Sequence, residues 1–90
     1  MSSSHAKYFL FAFDNSQRAT LAYDLVKDFK QSRLIPLPPE IDAGCGLSLR
    51  ILYEDLDKSL NLFDENNIKF DGIYTFDHEN FKRKIEKYVL

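Results

Sequence analysis

The run Tyr8-Phe9-Leu10-Phe11-Ala12-Phe13 constrains this chain more than any other stretch. It is apolar throughout and too short for an ordinary helix, so it reads as a strand. Alternate residues of a strand face opposite sides. Phe9, Phe11 and Phe13 then lie on one face, and Tyr8, Leu10 and Ala12 on the other. Both sets are apolar, so this strand belongs inside a sheet with cover on both faces. Ninety residues build one domain around it, with 44% hydrophobic residues, eight Phe and five Tyr to fill a core.

The rest of the chain alternates strand and helix signals. Residues 1–6 are small and polar and read as a flexible tail, ahead of a single domain over 7–90. "DNS" at 14–16 offers helix N-caps, and Ala19, Ala22, Leu25, Val26 and Phe29 follow at helical spacing, predicting a helix from about Ser16 to Lys30. "RLIPLP" (33–38) has strand character, but its prolines confine it to a sheet edge. In "LSLRIL" (47–52) Leu47, Leu49 and Ile51 alternate with Ser48, Arg50 and Leu52. The acids of "YEDLDKSLNLFDENN" favour a helix start, and Leu56, Leu60 and Phe63 form its stripe. Asn66-Asn67 suits its C-cap, since Asn tolerates the left-handed conformation. "IKFDGIYTF" (68–76) reads as a last strand with a bulge at Gly72. In "DHENFKRKIEKYVL", Asp77 as N-cap with Phe81, Ile85, Tyr88 and Val89 predicts a third, short helix.

The order β-α-β-β-α-β predicts an α+β, ferredoxin-like sandwich with an added C-terminal helix. The first and third strands are then central, the second and fourth are edges, and two helices cover one face. The face with Tyr8, Leu10 and Leu52 needs a cover as well. Either the third helix or a second subunit, making a homodimer, would supply it.

Charge and cysteine usage remove several function classes. The net charge is −2 and no basic run is present, which argues against a nucleic-acid partner. The "YFLFAF" run is too short for a signal-peptide core or a membrane span, so the expectation is a cytoplasmic protein with no membrane partner. One cysteine and the distant His5 and His78 leave no metal site to expect, and no cofactor motif is present.

The candidate chemistry centres on "EIDAGCGLSLR" (40–50). Gly44 and Gly46 flank Cys45, remove steric cover from its sulfur and permit left-handed backbone angles. Successive N–H groups in such a turn can form an anion-binding nest that favours the thiolate. Arg50 is the nearest cation downstream, although a regular strand points it opposite to Cys45. A lone cysteine is often a small hydrophobic filler, and a cysteine hydrolase would need a histidine beside it. His78 is the one candidate, and it reads more simply as an exposed helix-terminal residue. The residues alone leave three readings open. In the first Cys45 carries a transferable atom, in the second it only shapes the turn of a non-catalytic interaction or regulatory module, and in the third it senses oxidants by forming a dimer.

Leu34-Ile35-Pro36, Pro38, Ile41, Cys45-Gly46-Leu47 and Leu49-Arg50, followed by the acidic helix and Gly72-Ile73-Tyr74, make a recognisable series. In these pieces the chain resembles the small selenium/sulfur (Se/S) carrier-like proteins, over about residues 8 to 75. The resemblance implies a carrier rather than an enzyme. Cys45 would be the sulfur or selenium acceptor, Gly44, Gly46 and Arg50 would lie around it, and protein partners would donate and receive the atom. The chain departs from the family pattern at Leu37, where Thr is expected, and at Pro39, where Arg is expected.

Overall fold

A computed structural model describes residues 6–41, 46–79 and 82–89. The protein is an α+β fold with five strands and two helices: β1 (Ala6–Ala12), α1 (Ser16–Val26), β2 (Arg33–Pro36), β3 (Leu47–Leu52), α2 (Leu56–Glu65), β4 (Gly72–Glu79) and β5 (Lys82–Tyr88). A 3-10 turn, Tyr53–Asp55, leads into α2. The strands form one sheet in the order β2-β3-β1-β4-β5, and every neighbouring pair is antiparallel. Apart from Ala6, which opens β1, the expected tail lies outside the described residues.

The apolar run sits where its composition requires. β1 is the middle strand, between β3 and β4. Phe9, Phe11 and Phe13 are buried on the helix side with Leu49, Ile51 and Ile73. Helix α1 lays Ala19, Ala22 and Val26 on this layer, and α2 adds Leu56 and Phe63. Small alanines let α1 approach the sheet closely. Phe11 meets Phe63 and Phe70 edge-to-face at 5.1 and 5.0 Å, a favoured aromatic geometry.

The helix ends follow the capping residues. Asn15 Oδ1 accepts from the Arg18 N–H at 2.7 Å and caps α1, while Arg18 also reaches the Asp14 carboxylate at 2.8 Å. α1 stops at Val26, short of the Lys30 expected from periodicity. The Ser32 hydroxyl donates to the Val26 and Phe29 carbonyls, and Gln31 adopts a left-handed φ of 61°, turning the chain toward β2. At the end of α2, Asn67 has a φ of 58°. The Ile68 N–H donates to Phe63 and the Asn67 N–H to Asp64, a Schellman closure at the expected asparagines.

The C-terminal segment is not the predicted third helix. Residues 82–88 form β5, paired along β4 from Ile73↔Tyr88 to Glu79↔Lys82. The fourth strand accordingly runs over 72–79 and is not an edge. The helical spacing of Ile85 and Tyr88 was outweighed by the open flank of β4, whose backbone groups need partners. In the strand Ile85 and Tyr88 fall on opposite faces, Ile85 beside Phe76 and Tyr88 beside Ile73, so each face of the sheet gains one half-buried side chain.

Cover over the second sheet face comes partly from an unexpected element. The chain leaving β2 folds back through a turn closed by the Ile41 N–H donating to the Pro38 carbonyl at 2.9 Å. That turn sets Ile41, 4% exposed, on Leu10 and Ala12, with Ile35, Leu37, Tyr74, Phe76 and Ile85 around them.

Candidate functional site

The expected site lies on the long connection from β2 to β3. Gly44 and Cys45 fall within residues 42–45, outside the described residues. Both ends of that segment are described. On one side Ile41 is buried on the sheet. On the other, the Gly46 carbonyl accepts the Leu37 N–H at 2.9 Å and extends the β2–β3 ladder by a rung. The segment carrying Cys45 is therefore tied at each end to the same corner of the sheet.

Gly46 has a φ of 76°, in the left-handed region expected for this glycine. A Cβ there would meet nothing within 4 Å, so the glycine is needed for its backbone angle and not for lack of room. It is also exposed. A side chain of any size would add bulk beside Cys45.

Arg50 stands elsewhere. It follows Gly46 by four residues along an extended chain, about 13 Å. Its guanidinium donates to the Gln31 carbonyl from Nε at 3.3 Å and from Nη2 at 3.0 Å. It lies over the Tyr8 ring at 4.6 Å, and the Tyr8 hydroxyl donates to Gln31 Oε1 at 3.0 Å. These contacts fasten the left-handed Gln31 turn to the far end of β3. The pairing partners of Arg50 are Leu10 and Arg33. His78 pairs with Ala6 near the end of β4, in the part of the strand remote from the Pro36–Leu47 end of the β2–β3 ladder.

Two surface depressions are lined by described residues. One, of about 290 Å³, lies among Asp28, Phe29, Lys30, Leu52, Glu54, Asp55 and Lys58. The other, of about 340 Å³, lies among Phe70, Gly72, Ile73, Lys87, Tyr88 and Val89. Neither includes a residue of the connection that carries Cys45. The described residues hold no cluster of three or more His, Cys, Asp or Glu able to bind a metal ion, and no helix among them is long and apolar enough to cross a membrane.

What sequence reading missed is the part played by Ile41 and Leu37. Ile41 is legible in the sequence as one piece of the family series, and nothing in its spacing tells that it lands on β1.

No curated protein and no solved structure matches the chain. The model of the family described as "Putative Se/S carrier protein-like" matches residues 7–75, from β1 into β4 and across the whole Cys45 connection. The chain belongs to that family.

Proposed function

We propose that this protein is a sulfur or selenium carrier, not a catalyst, and that Cys45 holds the atom in transit. The observation that carries the reading is the tethering of a lone-cysteine segment at one corner of the sheet, within the span of the family match. Transfer needs one accessible thiolate. The Cys45 thiolate attacks the outer sulfur of a donor's persulfide, forming a new S–S bond as the old one breaks. The donor leaves as a thiolate, and no external oxidant is required. A second thiolate attacking the outer atom would unload Cys45 in the same way.

The flanking glycines support this reading because a partner's cysteine must come within bonding distance of Cys45. Gly46 presents no side chain there, and Gly44 presents none on the other flank. Arg50 enters through the sheet end that it fastens, with no contact to the transferred atom. The strand order β2-β3-β1-β4, with α1 and α2 on one face, supports a ferredoxin-like framework beneath the site, extended by β5.

Intact-mass analysis tests the assignment. After incubation with a cysteine desulfurase and cysteine, or a selenocysteine lyase and selenocysteine, the wild type should gain one sulfur or one selenium atom. A reducing agent should remove it. Cys45→Ser should gain nothing. An unmodified wild type, or a gain that persists in Cys45→Ser, would overturn the reading.

A further inference from the structure

β5 is the outermost strand on its side of the sheet and pairs along β4. Among the described residues neither helix packs along it. Its outer backbone groups can be told from its inner ones. The Thr75 hydroxyl donates to the Glu86 carbonyl at 3.4 Å, so the Glu86 backbone faces β4. A strand residue sends its N–H and C=O to one side, and its neighbours send theirs to the other. Ile85 and Lys87 therefore turn theirs outward, where no described strand meets them. The Leu37–Gly46 rung, carried through the pairings of all five strands, gives the same phase. The opposite margin, β2, is four residues long and ends in Pro36.

Side chains make the β5 edge selective. The sequence of β5, KRKIEKY, sets four cations against one carboxylate in a chain of net charge −2. On the helical side Glu86 meets Lys84 at 3.7 Å, and Tyr88 is half-buried beside Ile73 and edge-on to Phe9. On the other side Lys87 is exposed opposite Tyr74. At the Tyr88 end, Phe70, Ile73, Tyr88 and Val89 line an apolar depression, and Val89 is 82% exposed. An incoming strand thus meets a cation on one face and an apolar hollow on the other.

We propose that the β5 edge binds an acidic, extended segment of a partner protein as a sixth strand. The main chain of that segment bonds to the outward N–H and C=O groups of Ile85 and Lys87. The partner residue opposite Lys87 shares its face and is Asp or Glu. The residue next to it points to the helical side, toward the depression, and is apolar. A second copy of β5 is a poorer occupant, because it sets four more cations against the first four. The inference stands apart from sulfur transfer, since it uses neither Cys45 nor its connection.

The test is fluorescence anisotropy of the full chain with a fluorescein-labelled peptide of about eight alternating glutamate and valine residues. Saturable binding that weakens as salt is added is expected. The same peptide with alternate amides N-methylated keeps its charge but loses its ladder donors, and should not bind. A lysine–valine peptide should not bind either. Lys87→Glu, at an exposed position, should weaken binding about tenfold. Hydrogen exchange should slow at the amides of Ile85 and Lys87 more than at those of Lys84 and Glu86 when peptide is added. Lys58→Glu on α2 and Cys45→Ser should bind as wild type does, the latter separating this result from any failure of the carrier reading. The proposal is overturned by no binding, by equal binding of the N-methylated or lysine–valine peptide, or by full binding in Lys87→Glu with its circular dichroism intact. A dimer of the chain alone in analytical ultracentrifugation at the same low salt would assign the edge to a second copy, and overturns it too.

Discussion

Gly46 illustrates how much one backbone angle can decide. With φ at 76° and open space where a Cβ would stand, alanine at this position meets no neighbour and is penalised through the backbone alone. Gly46→Ala should destabilise the fold by about 1 kcal/mol in urea denaturation. A larger loss would mean that the Leu37–Gly46 rung has broken too. The angle was legible from the Gly-Cys-Gly spelling, because glycine is the residue that takes it without strain. Arg50 was less legible. The resemblance sets it around Cys45 while strand geometry points it the other way, and its guanidinium lies on the Gln31 carbonyl and the Tyr8 ring. What the sequence does not display is the Gln31 carbonyl and the Tyr8 ring as its partners, because both come from elements distant in the chain.

Among the elements, local chemistry located β3 and the helix caps, while the end of α1 and the last segment depend on neighbours. β3 spans 47–52 as its alternation predicts, Asn15 caps the start of α1, and Asn66-Asn67 close the end of α2. The last segment failed because Ile85 and Tyr88 stand three apart, the spacing of one helix face, whereas in β5 they serve opposite faces of the sheet. Only the presence of β4 beside them chooses the strand, and that choice is tertiary. The Pro38–Ile41 turn is the other element whose role depends on distant residues. Ile41→Ala removes a buried side chain from Leu10 and Ala12 and should cost about 2–4 kcal/mol by thermal or urea unfolding. Because Ile41 also anchors one end of the Cys45 segment, the same variant should alkylate faster with iodoacetamide under conditions where it remains folded. An unchanged rate would separate the packing role of Ile41 from the chemistry of Cys45.

At the scale of the whole molecule, the sheet separates charge that composition averages away. A count of −2 hides a face whose described strand residues include no acid, because Arg33, Arg50 and Lys87 come together only through pairing. The family match ends at residue 75, so β5 lies beyond it. Adding that strand closes one sheet margin and opens another, and the two margins resist further strands by different physics. Along β2, the Leu37 N–H points inward to Gly46, so the alternation of the ladder puts Pro36 on the outer side, where it has no N–H to offer. Along β5 the deterrent is electrostatic, with exposed Lys84 and Lys87 repelling another copy of the same strand. Proline's missing donor is indifferent to ionic strength, whereas repulsion between lysines is screened. Self-association should therefore rise with salt and proceed through β5. Light scattering should show Lys84→Val combined with Lys87→Val clouding at low salt, where the wild type stays clear. The strand that completes this sheet thus makes its colloidal behaviour a function of the buffer.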